Sequence, residues 1–222
     1  TLAPMNTSRY FAASASANGK VYVFGGYVNG ATTPSTQVEE YDPNNNTWTF
    51  RAAMPVAVAR MKAVAANGVI YVMGGVNTGG TVVSTVQVYN PLSNTWSTAA
   101  AMLAQRADFG AVRFRISSVA PFRIAVAGGR PNMGTLGSTA VDYYDPIGNS
   151  WSNSGQNLPS AVYGNSLAAD TSLHSIQSAG GYLSGGNPTT AVFSNHFGAW
   201  ISFASLPQPM AHQHSFALLT SD

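Results

Sequence analysis

Arginine, histidine and a few carboxylates are the side chains in this chain that could do chemistry. Arg9, Arg60 and Arg106 recur at the start of successive segments. A guanidinium holds five donors in a planar fork that fits a carboxylate. His212 and His214 stand two apart, so on a strand they share a face and could reach one metal ion. No third ligand lies near them, so no metal and no cofactor is expected. Glu39 and Glu40 are adjacent and would point to opposite faces of a strand, a poor arrangement for an acid and base pair. Cysteine is absent, which excludes disulfides, thiolate ligands and cysteine nucleophiles. There is no glycine-rich phosphate loop and no nucleophile elbow.

Composition narrows the classes further. Only 8% of the 222 residues are charged, with 10 Lys and Arg against 8 Asp and Glu. Nucleic-acid binding needs many phosphate-neutralising cations, so it is not expected. The chain is 45% hydrophobic and 11% aromatic, enough to offset chain entropy and build a core. No apolar run reaches the roughly 18 residues that cross a bilayer as a helix. Asn6-Thr7-Ser8 and Asn45-Asn46-Thr47 fit the N-glycosylation sequon.

The elements that must position these residues come from a repeat. Trp48, Trp96, Trp151 and Trp200 are spaced by 48, 55 and 49 residues. Gly-Gly recurs in step at 25–26, 74–75, 128–129 and 180–181. Tyr41, Tyr89, Tyr144 and Phe193 each stand seven residues before a Trp, and turn formers follow the three Tyr at Asp42-Pro43, Asn90-Pro91 and Asp145-Pro146. Each repeat reads as four short strands. In the first these are 12–17, 20–24, 36–41 and 47–52, with Asn18-Gly19 as a hairpin turn. Four such repeats predict about sixteen strands and almost no helix. A meander with two apolar faces must stack on its neighbours, and radial stacking gives a propeller. The four Trp are expected in the core. Glu39 and Asp142 are expected as solvated strand positions, and Asp42 and Asp145 as turn makers.

These motifs resemble the kelch repeat: an apolar strand, Gly-Gly, a loop, then Tyr-Asp-Pro, Trp, Met and Arg. The stretches VYVFGG…VEEYDPNNNTWTFRAAMPVAVAR and IYVMGG…VQVYNPLSNTWSTAAAMLAQR carry the pattern closely. The third repeat carries it after an insertion near Ser117–Pro121, and the fourth is degenerate. The resemblance implies an all-β, kelch-type β-propeller. Its blades would cover about 9–53, 60–101, 106–155 and 163–205, as a single propeller domain over 1–222. Thr1–Met5 reads as the tail of a last strand and 212–220 as a first strand. Such a chain is expected to be a piece of a longer propeller, with a ring completed by other chains, by self-association through its terminal strands, or a small four- or five-bladed ring as the alternatives.

In the kelch family the start of each repeat and the loop after Gly-Gly share one rim, the usual ligand face. The residues this implies are Arg9, Arg60, Arg106, Tyr163 and His212 at the repeat starts. After Gly-Gly they are Tyr27, Asn29, Asn77, Arg130, Asn132 and Tyr182. Tyr, Asn and Arg are common on recognition surfaces. The expected function is a binding or scaffold module for a protein segment or a glycan. The alternatives are a carbohydrate-active kelch enzyme of epimerase or oxidase type and an extracellular structural or adhesive protein. The low charge and abundant small polar residues suit an extracellular bacterial product. Arg113, Arg115 and Arg123 flank the insertion, where they read as a solvated hairpin or as a site for an acidic partner.

Overall fold

The computed structural model describes residues 1–134, 136–170, 174–196, 199–202 and 205–209. Among them, every regular element is a β-strand. Sixteen strands of four or five residues form four antiparallel sheets. The first sheet comprises Ala13–Ala17, Lys20–Phe24, Val38–Asp42 and Thr47–Arg51. The others follow the same plan, and in each the order in space is the order in the chain. Six further strands of two residues pair into three short ribbons at the repeat starts, which the sequence did not suggest.

Local chemistry explains the turns. Asn18-Gly19 and Asn67-Gly68 both take left-handed conformations, with φ of 52° and 73° in one and 52° and 80° in the other. That is the hairpin turn whose twist matches the strands it joins. The Asp-Pro turns close on side chains. Asp42 Oδ1 accepts from Asn44 N at 2.9 Å, and Asp145 Oδ1 accepts from Ile147 N at 2.9 Å. Both are turn makers, as expected.

Each Tyr and Trp seven residues apart form a cross-strand pair, with ring centroids 5.1, 5.0 and 5.0 Å apart in the first three repeats. The Tyr hydroxyl donates to an Asn in the turn between them: Asn46, Asn94 and Asn149. The Trp are half-buried, not core. A Trp N–H usually finds a hydrogen-bond partner when its ring is buried. Trp96 Nε1 donates to Ala52 O at 2.9 Å, and Trp48 Nε1 donates to Ala3 O at 2.9 Å. The amide of each Ala donates in turn to the turn Asn beside that Trp. Residues 1–5 therefore sit against repeat one as residues 51–54 sit against repeat two.

The chain divides into two compact units, Thr1–Gln105 and Arg106–Asp222, with two sheets each. In the first unit a stripe of Ala13, Ala15 and Ala17 with Tyr22, Phe24 and Val38 packs on Ala63, Ala65, Ile70, Val72 and Tyr89. Alternation along the strands puts these residues on one face. The small stripe lets the sheets close, and Phe24 then reaches Tyr89 and Trp96 edge to face at 5.9 Å. In the second unit Phe114, Ala125, Ala127 and Val141 pack with Leu167, Ile176 and Phe193. Each large side chain so enclosed contributes roughly 1.5–3 kcal/mol.

The Gly-Gly pairs sit where backbones meet. Gly26 N donates to Val58 O at 3.0 Å and Gly129 N to Val162 O at 2.8 Å. Gly26 has φ of 79°, and a Cβ there would lie 2.6 Å from Tyr10 O. Only glycine accepts both conditions.

Candidate functional site

The short ribbons build the rim. Arg9–Tyr10 pairs with Tyr27–Val28, Val58–Ala59 with Val76–Asn77, and Val162–Tyr163 with Tyr182–Leu183. In the third repeat the ribbon shrinks to one bridge, Ala107 to Arg130. One residue in the left-handed region follows each: Phe11 (φ 53°), Arg60 (61°), Asp108 (51°) and Gly164 (66°). Arg60 N donates to Phe11 O at 2.8 Å, and Gly164 N donates to Asp108 O, so the left-handed residues of neighbouring blades are linked.

This register corrects the sequence alignment of the repeat starts. Arg9 and Arg106 are equivalent to Val58 and Val162, while Arg60 aligns with Phe11, Asp108 and Gly164. The distance to Gly-Gly carried the signal, since Arg9 lies sixteen residues before Gly25 but Arg60 only fourteen before Gly74.

Arg9 and Arg106 are not open donors. Arg9 Nη1 donates to Gly25 O and Gln37 O at 3.1 and 3.2 Å, and its Nη2 pairs with Glu39. Arg106 Nη1 donates to Gly128 O and Ala140 O at 2.9 and 3.0 Å, and its Nη2 pairs with Asp142. Glu39 and Asp142 are thus buried, 0% and 2% exposed, where solvated positions were expected. A buried strand-centre carboxylate needs a cation or hydrogen-bond donors to remain charged there. Burial works against the Glu39 carboxylate, but bonds from the Thr7 hydroxyl, the Asn6 amide and Arg9 pull its pKa below the usual range. Burial lowers the pKa of Arg106, and Asp142 works against that. In repeat two the pair is replaced without charge: Gln87 Oε1 accepts from Val56 N at 2.8 Å and its Nε2 donates to Val56 O.

Two side-chain clusters remain beside the ribbons, one in each unit. In the first unit Tyr10, Phe11 and Tyr27 meet with centroids 5.0–6.3 Å apart, and the Arg60 guanidinium lies 3.5 Å over Phe11. Tyr10 is 47% exposed. In the second unit Arg130 pairs with Asp108 and lies 4.6 Å over the Tyr163 ring, which stacks on Tyr182 at 5.2 Å. Tyr27, Arg60, Arg130, Tyr163 and Tyr182 were singled out in the sequence. Asp108 stood among the few candidates for the enzyme reading; Tyr10 and Phe11 did not stand out, although the Tyr-Phe pair after Arg9 breaks the repeat.

Two of the three Asn serve their own loops, and the third ties its loop to the repeat start. Asn77 Oδ1 accepts from Gly79 N and Thr81 N at 3.0 Å, and Asn132 Oδ1 accepts from Gly134 N at 2.9 Å. Asn29 Oδ1 accepts from Ser8 Oγ at 3.2 Å. His212 and His214 lie outside the described residues. Among the described residues no group of three or more His, Asp or Glu could hold a metal ion, and no helix is long and apolar enough to cross a membrane.

Four-stranded meanders with Gly-Gly after the second strand and a Tyr and Trp pair across the last two are the blades of a kelch-type β-propeller, and that is the fold class of this protein. Residues 8–55 and 57–103 match the kelch motif. The chain is similar in structure to YjhT, with a TM-score of 0.77 and 21% identity over 92% of this chain and 73% of that one. It is 39% identical over 59 residues to the F-box protein AFR of Arabidopsis thaliana. That match covers 27% of this chain and only 16% of the relative.

Proposed function

We propose that the protein is a binding module that seats a segment of a protein partner on the rim cluster of Tyr10, Phe11, Tyr27 and Arg60. The observation that carries this is Phe11. A bulky side chain in the left-handed region costs on the order of 1–2 kcal/mol, and Gly164 shows that the position accepts glycine. Phe11 holds its ring under Arg60 and beside the exposed Tyr10. The result is a preorganised aromatic surface with one cation, the composition of an interface hot spot. Kelch repeats and the likeness to an F-box protein support a protein partner. Tyr182, half-buried and backed by the buried Tyr163 ring on which it stacks, favours a glycan as the second reading, because a sugar ring can lie on an aromatic face.

The test uses peptides selected from a display library and, in parallel, a glycan array. Phe11→Gly removes the ring at a position where glycine is the better backbone. It should leave stability unchanged or higher and weaken peptide affinity by about 10–100-fold, and Tyr10→Ala should act in the same direction. Unchanged affinity in both variants would place the ligand elsewhere. Glycan capture lost on Tyr182→Ala but kept in Phe11→Gly would favour the second reading.

A further inference from the structure

The third repeat departs from the first two at the end of its sheet away from the ribbons. In repeats one and two a two-residue turn joins the first strands, from Ala17 to Lys20 and from Ala66 to Val69. In repeat three the last pair is Phe114 with Arg123, and residues 115–122 form the connection. In repeat proteins such insertions lie on loops that often bind partners. Three of the chain's ten cationic side chains fall between 113 and 123, with no acidic residue in that stretch.

The arrangement is ordered by an aromatic ring. The guanidinium carbons of Arg113 and Arg115 lie over the Phe122 ring, 4.2 and 3.7 Å from its centroid. Strand alternation puts these three residues on one face, whereas Arg123 lies on the other with Phe114. None of the three arginines forms an ion pair among the described residues, whereas Arg9, Arg51, Arg106 and Arg130 do, with Glu39, Glu40, Asp142 and Asp108. Arg115 Nη1 reaches Ser118 O at 3.4 Å, and its buried Nε has no partner. Two like charges on one ring repel each other, and stacking on Phe122 has already removed much of their rotamer freedom. Beside them Ile116 and Val119 are exposed, Val119 by 93%.

From this the geometry points to a second recognition surface: the 113–123 hairpin docks an acidic protein segment whose carboxylates pair with Arg113 and Arg115 and whose apolar side chains cover Ile116 and Val119. An incoming carboxylate relieves the repulsion and meets planar forks already held in place. Two cations on one face are too few to grip a nucleic-acid backbone strongly. This surface is independent of the rim cluster.

A fluorescein-labelled peptide of repeated Asp-Glu-Leu triplets serves as the probe, read by anisotropy at about 50 and about 200 mM salt. Binding should weaken with salt. It should fall about tenfold or more in Arg113→Gln/Arg115→Gln, and Arg113→Lys/Arg115→Lys should restore little of it, because lysine lacks the planar fork. Phe11→Gly should bind the probe as the parent does. The proposal is overturned if the parent does not bind the probe, if the Gln variant stays within about twofold of it, or if Phe11→Gly abolishes binding. It is also overturned if the Lys variant binds fully, which would leave charge alone, or if single-stranded DNA displaces the peptide at equal concentration.

Discussion

Removing the Arg106 side chain tests the register of the repeats most directly. Arg106 is 3% exposed and spends its guanidinium on two carbonyls and one carboxylate. In Arg106→Val the carbonyls of Gly128 and Ala140 lose their donor, at about 1 kcal/mol each. Asp142 keeps the Asn153 amide at 3.0 Å but loses its counter-charge in a buried place. The expected loss is about 3–5 kcal/mol, typical of a broken buried pair. Repeat two shows the charge-free solution, with Val58 and Gln87 at the equivalent positions. The double variant Arg106→Val/Asp142→Gln should therefore recover about half of the loss or more. Arg60→Ala should cost about 1 kcal/mol or less, because Arg60 lies over the Phe11 ring and is only half-buried. Urea unfolding followed by tryptophan fluorescence and circular dichroism gives all three values. Equal losses for Arg60→Ala and Arg106→Val, or no recovery in the double variant, would refute the assigned register and the buried-pair argument together.

Two further outcomes follow from the blades. Burial works against ionisation of Glu40, but bonds from Arg51, Lys20 and Tyr22 pull its pKa from 4.5 down to about 2. A carboxylate lowered on folding stabilises above its unfolded pKa, so its roughly 2–3 kcal/mol is present above pH 4.5 and fades as pH falls towards 2. Glu40→Gln should lower stability at neutral pH and flatten the acid limb of the stability profile; an unchanged acid limb would contradict the assignment. Gly26→Ala should destabilise by about 2–4 kcal/mol, since its φ is 79° and the new methyl would meet Tyr10 O and Ala12 N. Gly30→Ala, at φ 76° in open space, should cost only about 1 kcal/mol, and similar costs at both glycines would contradict the close-approach argument.

What the sequence determined by itself was the repeating unit. Gly-Gly, the Tyr and Trp seven apart, and the Asn-Gly and Asp-Pro turns act over a few residues, and their chemistry is the same wherever they fall. The strands Lys20–Phe24 and Thr47–Arg51 could be read to within a residue for that reason. The extra ribbons could not, because two-residue strands have no periodicity to read. The candidate site was legible only in part. Tyr27, Arg60, Arg130, Tyr163 and Tyr182 fall in the two aromatic clusters beside the ribbons, but Arg9 and Arg106, of the same type and in the same family pattern, are internal ties. The tertiary structure alone decided which arginine faces a carboxylate more than thirty residues away in the chain and which faces an aromatic ring. Burial and partner choice depend on the neighbouring strand and blade. A shift of two residues in the repeat start, invisible to residue type, moves a guanidinium from a buried ion pair to the rim.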